Sequence, residues 1–182
     1  MNIRLSVFIA TSLDGYIARL NGKLDWLEMN KDQRKDEDFG YQDFISSVDC
    51  IVMGRNSFEK AVSFPEWPYA NKRVIVMSRS WRQIPDQFAN LAELYSGKVE
   101  LLTVELQSQG VRRVYVDGGL TIQSFIQQGL LTDMTITRLP ILLGKGISLF
   151  GNTDRDIELK LEQVKSFESG FVQSKYQFVH FA

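Results

Sequence analysis

Two short stretches hold residue types suited to gripping an anion. Arg113 to Val116 reads as a strand, Asp117-Gly118-Gly119 as a tight turn, and Leu120 to Gln128 as a helix stopped by Gly129. A buried strand that feeds a helix through two glycines leaves the first N–H groups of that helix pointing out at the carboxyl edge of the sheet. There the positive end of the helix dipole attracts phosphate. The glycines serve either a positive φ or the contact of a ligand's pyrophosphate with bare backbone. Cys50 to Met53, followed by Gly54-Arg55-Asn56-Ser57 and the helix SFEKAV, repeats the plan with an arginine in the turn and with Asn56 or Ser57 able to cap the helix. Two such units point to a ligand with more than one phosphate. Arg55 can hold phosphate through two parallel hydrogen bonds, which makes it a candidate for the 2′-phosphate that separates NADP from NAD. Ser78-Arg79-Ser80, at the end of the strand Arg73 to Ser78, adds hydroxyls and a base that suit an adenosine ribose phosphate.

Acids and aromatic groups for the other half of a site are less sharply marked. Lys31 to Ser47 begins highly charged and becomes amphipathic, with Phe39, Phe44, Ile45 and Val48 on one helical side and Asp38 and Asp43 at its boundary. Each carboxylate is either solvated or poised in a cleft. Trp26, after the Asp14-Gly15 and Asn21-Gly22 turns, is a core plug or a ligand wall. Phe64-Pro65-Glu66-Trp67-Pro68-Tyr69 is a proline-stiffened aromatic loop, and LPILLGKGISLF bends at Gly144 and Gly146.

The elements that must position these groups alternate strand and helix. Ile3 to Thr11 suits a strand buried on both faces, Leu91 to Tyr95 a further strand, and Ser96 a cap for a helix running to about Gln109 and ended by Gly110. From Ile157 onward the chain alternates polar with apolar around Ser169-Gly170, the pattern of an antiparallel hairpin closing one edge of an otherwise parallel sheet. With 182 residues and 44% hydrophobic content, one α/β domain with one core is expected. The 21 Lys and Arg against 22 Asp and Glu give no electrostatic case for nucleic acid or an anionic membrane. One cysteine, Cys50, excludes an internal disulfide, and one histidine with one cysteine argues against zinc and against a Ser-His or Cys-His pair. His180 reads as a surface or edge-strand residue. The opening MNIRLSVFIATSLDGYIA is too short and too soon polar for a signal peptide or span, so a reducing cytoplasmic setting is expected. Exposed strand and hairpin edges allow a homodimer without requiring one.

Taken in order, FIATSLDGYIA, VMGRNSFE, RVIVMSRS, YVDGG and TRLPILLGKGISLF resemble the dihydrofolate reductase superfamily. Within it the chain is most similar to the reductase domain of the bifunctional riboflavin-biosynthesis deaminase/reductase and its small stand-alone bacterial relatives. The resemblance covers essentially the whole chain. It implies a three-layer α/β/α fold with a mixed, mainly parallel sheet, and NADPH-dependent hydride transfer to a small heterocycle. By resemblance Ala10 and Ile17 bracket the nicotinamide, Gly54, Arg55, Asn56 and Ser57 hold the pyrophosphate and 2′-phosphate region, Ser78, Arg79 and Ser80 flank the adenosine, and Asp117, Gly118, Gly119, Leu120 and Thr121 form the second phosphate seat. Asp38 falls where folate reductases keep their pterin-binding acid, with Asp43 as its substitute, and Thr137 falls where the hydrogen-bond partner of that acid would stand. Trp26, Phe39 and Trp67 would exclude water from the substrate. The arginine with which folate reductases hold a substrate carboxylate is here Lys72, with Arg73 beside it, and a lysine lacks the planar two-pronged geometry. The favoured substrate is the ribosylaminopyrimidine of riboflavin synthesis; dihydrofolate and a non-catalytic nucleotide-binding role are the alternatives.

Overall fold

The computed structural model describes residues 2–28 and 37–179. Apolar β-branched runs build its central strands: β1 (Arg4–Ser12), β3 (Cys50–Gly54), β4 (Arg73–Met77), β6 (Arg113–Asp117) and β7 (Asp133–Leu139). Val7, Ile51, Val52, Val76, Val114 and Val116 are all buried, as expected of strands covered on both faces. With the short β5 (Glu93–Tyr95) and the hairpin strands β9 (Leu159–Ser166) and β10 (Val172–Phe178) they form one sheet in the order β5-β4-β3-β6-β1-β7-β10-β9. The pairings from β5 through β7 are parallel, and β10 runs antiparallel to both β7 and β9. The hairpin thus closes one edge, as its alternation predicts.

Helices cover both faces. α3 (Val99–Ser108) and α4 (Gly119–Gln127) bury Leu102, Leu106, Ile122 and Phe125 against one side of the sheet. α1 (Tyr41–Ser46) and α2 (Arg55–Ala61) bury Phe44 and Phe58 against the other. The result is the three-layer α/β/α arrangement that the sequence implies. A small ribbon, β2 (Tyr16–Ala18) with β8 (Ile147–Ser148), stands apart from the main sheet. No helix among the described residues is long and apolar enough to cross a membrane.

Three local expectations change. α1 occupies only Tyr41–Ser46, and residues 31–36 of the expected longer helix lie outside the described residues, as does His180. Asn56 and Ser57 sit inside α2 instead of capping it, and Ser96 does not cap α3, which follows Lys98. Neither helix carries a side-chain cap, so their leading N–H groups stay open.

At the amino ends of the strands Asp133, 2% exposed, accepts from Arg4 Nε at 2.6 Å and from Ser6 Oγ at 2.9 Å, with Arg113 at 3.6 Å. This carboxylate ties β7 to β1 and β6. Replacing Asp133 by Ala leaves two guanidinium groups facing each other without an acid between them. Because Arg4 is partly exposed, the expected loss is on the order of 2–3 kcal/mol, read by urea denaturation; an unchanged midpoint refutes the assignment.

Candidate functional site

The sheet order places β3 beside β6, and the helices that follow these two strands leave toward opposite faces. A crevice opens at such a divergence, outside the carboxyl ends of the strands, where open α/β sheets bind ligands. Here it is a cleft of about 1080 Å³. Its lining includes Ala10 and Ile17, the turn Gly54, Arg55, Asn56 and Ser57, the triplet Ser78, Arg79 and Ser80, and the turn Asp117, Gly118, Gly119, Leu120 and Thr121. Every residue assigned to a dinucleotide from sequence therefore meets in one groove.

The two strand–glycine–helix units interlock. A Cβ on Gly54 would stand 3.0 Å from Thr121 Oγ1, and one on Gly118 would collide with Ser57 Oγ. Gly118 also has φ 89°, a backbone that side chains rarely adopt. Of the two readings of this glycine, the positive φ holds, and the close approach it makes is to the Ser57 side chain. α4 has no side-chain cap, and its first residues, Gly119, Leu120 and Thr121, line the cleft together with Ser57. The donor set fits a pyrophosphate. Further along, Arg55 Nη1 donates to Ser80 Oγ at 3.3 Å, and Ser80 lies 3.3 Å from Ser78 Oγ. This brings the arginine of the first turn to the end of the neighbouring strand, with Lys60, Arg79 and Lys98 on the same wall.

The acid and the aromatic groups are arranged differently from the sequence expectation. Asp38 is exposed; its carboxylate accepts the N–H of Gly40 at 2.9 Å and of Gln42 at 2.8 Å, which fastens the first turn of α1 and holds its pKa below the usual range. Thr137 is buried, and its hydroxyl accepts from Gln173 Nε2 at 2.9 Å, the same amide that donates to Phe39 O. The expected Asp38–Thr137 pair is not formed: Asp38 is taken up by the backbone N–H groups of Gly40 and Gln42, and the Thr137 hydroxyl by the Gln173 amide. Asp43 is exposed on α1 and does not line the cleft. Trp26 is fully buried with Leu139 and Phe171, Phe39 stacks on Phe171 at 5.3 Å, and Trp67 packs on Phe58 and Tyr69. None of these three lines the cleft; the indole of Trp26 is a core plug.

Two carboxyls line the cleft, Glu100 beside Lys98 and Val99 and Asp117 at the end of β6. Side chains two apart on a strand share a face, so Asp117, expected in the second phosphate seat, instead points with Tyr115 toward the α1 and α2 side and away from the start of α4. Tyr115 Oη lies 3.3 Å from Asp117 Oδ1 and 3.0 Å from Phe8 O. Burial pushes the Asp117 pKa up, against the lowering effect of the Gly118 N–H and the Tyr115 hydroxyl. Its charge reaches three phenols: burial and Asp117 together raise Tyr41 to about 12 and push Tyr69 and Tyr115 up as well. Phe8, Phe64, Tyr69 and Tyr115 line this end. Sequence reasoning named the loop that carries Phe64 and Tyr69 but missed Phe8 and Tyr115. Alternation along β1 and β6 would have put Phe8 and Tyr115 on one face, but no local signal sets the register that brings Tyr115 beside Phe8.

A mainly parallel sheet with helices on both faces, an antiparallel terminal hairpin and a groove at the strand ends define a dihydrofolate reductase-like α/β protein. Residues 4–173 match the RibD C-terminal domain, and the chain belongs to that family. A candidate riboflavin biosynthesis protein from Shewanella sp. PV-4 superposes with a TM-score of 0.90 at 37% identity, over 98% of this chain and 100% of that one. YwjB of Bacillus subtilis, an uncharacterised protein, is 29% identical over 92% of this chain and 94% of its own length. The riboflavin biosynthesis protein RibD of Corynebacterium ammoniagenes is 25% identical over 79% of this chain and 44% of its own length.

Proposed function

We propose that this protein is an NADPH-dependent reductase acting on a small heterocycle, by affinity with its family a pyrimidine such as 5-amino-6-(5-phosphoribosylamino)uracil. The observation that carries the reading is the interlocked pair of glycine turns, continued by Arg55 and the Ser78–Ser80 triplet along one wall of the cleft. The α4 N-terminus, Ser57 and Thr121 would hold the pyrophosphate, Arg55 and Ser80 the 2′-phosphate, and Ala10 and Ile17 the nicotinamide. NADPH supplies the hydride when bound. The chain's own residues orient and enclose: Phe8, Tyr69 and Tyr115 would give the heterocycle an aromatic lining, and the groove walls would shed water.

Asp117 is the proton source in this reading. A carboxyl whose pKa is raised by burial keeps its proton nearer neutrality and can deliver it to a developing amine nitrogen. Asp38, solvated and held low, would have lost its proton under the same conditions. Lys72 Nζ donates to Val48 O at 2.8 Å, and Arg73 is paired with Glu93 at 2.8 Å. Both cations at the place of the folate-carboxylate clamp are thus already engaged, which favours the pyrimidine over dihydrofolate. The exposed edge strand β9, with Leu161 and Val164 about half open, is where a second copy of the chain would pair.

The test is a titration with NADPH and NADH following nicotinamide fluorescence. Arg55→Ala is expected to weaken NADPH about tenfold to a hundredfold, the worth of one charge-assisted phosphate contact, and to leave NADH nearly unchanged. Absence of binding by either dinucleotide in the unaltered protein overturns the reading.

A further inference from the structure

The Asp14 carboxylate is exposed, yet it makes three hydrogen bonds. Oδ1 accepts from Ser12 Oγ at 2.6 Å and from the N–H of Leu143 at 3.1 Å, and Oδ2 accepts from the N–H of Gly144 at 2.8 Å. Ser12 Oγ in turn accepts the N–H of Tyr16 at 2.9 Å. Two backbone bonds flank this knot, Leu13 N to Ile141 O at 2.8 Å and Leu149 N to Gly15 O at 3.0 Å. One short side chain therefore fastens the loop after β1 to the glycine loop that follows β7, two segments far apart in the chain.

What the knot supports is the β2–β8 ribbon. Tyr16 pairs with Ser148 and Ala18 with Ile147, and Ile17 and Ile147 turn into the cleft. The ribbon presses on the start of α4: a Cβ on Gly119 would meet Ile17 Cδ1 at 3.0 Å, Ser148 O at 3.4 Å and Ile147 Cγ2 at 3.5 Å. With three and two residues a strand, the ribbon is far below the length at which a hairpin holds itself in water. It needs an outside fastening, and the Asp14 knot sits at its base.

We propose that Asp14 is a positioning residue which, by latching these two loops, holds the β2–β8 ribbon as a fixed wall against the anion seat of α4. The proposal rests on the dinucleotide reading of the cleft for the identity of the ligand, and on the hydrogen bonds alone for the latch. Asp14 touches no ligand in this scheme; it acts through Ile17 and Ile147. An asparagine keeps the size of the side chain but turns one of the two acceptors facing Leu143 and Gly144 into a donor, so a paired N–H is left opposite another N–H.

The experiment compares the unaltered protein with Asp14→Asn, Ser12→Ala and Arg55→Ala by amide hydrogen exchange and by NADPH titration. Asp14→Asn is expected to raise exchange at least about tenfold in the segments covering residues 13–18 and 141–149, and to weaken NADPH about tenfold or more through the misplaced wall. Ser12→Ala is expected to follow in the same direction. Arg55→Ala is expected to weaken NADPH without altering exchange in either segment, which separates lost contact from lost positioning. Unchanged exchange in Asp14→Asn overturns the latch. Faster exchange with unchanged affinity overturns the positioning role. If the unaltered protein binds no dinucleotide, the reading of the cleft fails by itself, and the exchange comparison still decides the latch.

Discussion

Asp117→Asn is expected to lower the rate of NADPH-dependent reduction by about a hundredfold to ten-thousandfold, the usual worth of a positioned general acid, with little change in NADPH affinity. Asparagine fits the place: its carbonyl can take the Gly118 N–H, and its amide can donate to the Tyr115 oxygen. Stability should move the other way. The pKa of Asp117 is raised in the folded chain by burial, so the neutral acid is favoured by folding. Its contribution is present in full below the ordinary carboxyl range and is lost as the pH climbs through the raised value. Asparagine does not titrate. Melting curves across that window should therefore show the variant gaining on the unaltered protein as pH rises, while its turnover stays low throughout. Full turnover in Asp117→Asn would return the acid role to an open question, and a variant that loses stability at high pH would mean the carboxyl is held charged.

Gly118→Ala is expected to be the most damaging single methyl in the cleft. It forces a side chain onto φ 89° and drives its Cβ into Ser57 Oγ. Backbone strain alone costs on the order of 1–3 kcal/mol. The collision must also turn the Ser57 hydroxyl aside, taking it away from the place proposed for the pyrophosphate. NADPH affinity should fall more than tenfold even in protein that circular dichroism shows to be folded. The double variant Ser57→Gly with Gly118→Ala removes the collision and keeps the strain. If the interlock is real, the two changes are non-additive and the double variant recovers part of the lost affinity; additive losses would refute it.

The two glycine turns of the cleft were legible because their signals are local. A strand, a glycine turn and an uncapped helix start occupy ten or so consecutive residues, so Gly54 to Ser57 and Gly118 to Thr121 could be placed at the ends of their strands without knowing what lies across from them. The sheet was legible for a related reason: continuous apolar runs mark buried parallel strands, and the alternation past Ile157 marks the hairpin. The acid was not legible. Asp38 and Asp117 are both carboxylates near cleft elements, and what separates them is solvation. Asp38 stands in water and accepts the N–H groups of Gly40 and Gln42, whereas Asp117 lies beside Tyr115, whose hydroxyl the pairing of β1 with β6 brings to Phe8 O. The aromatic residues Trp26, Phe39 and Trp67 were misplaced on the same account. Aromatic type and a nearby turn do not say whether a ring faces a groove or a core, and in all three the core contact won.

The pairing of β1 has a bearing on how the chain comes to be folded. This first strand finds its partners in β6 and β7, and its Arg4 is clasped by Asp133, 129 positions later. During synthesis the middle of the sheet must wait: β3, β4 and β5 can associate as they emerge, but the first strand stays unpaired until β6 and β7 follow more than a hundred residues later. Such distant pairings are slow to close and leave apolar edges open meanwhile. A chain released or truncated before β6 would expose the segment LSVFIA with no neighbour on either side, and ribosome-bound fragments ending there should be the ones that engage chaperones and aggregate.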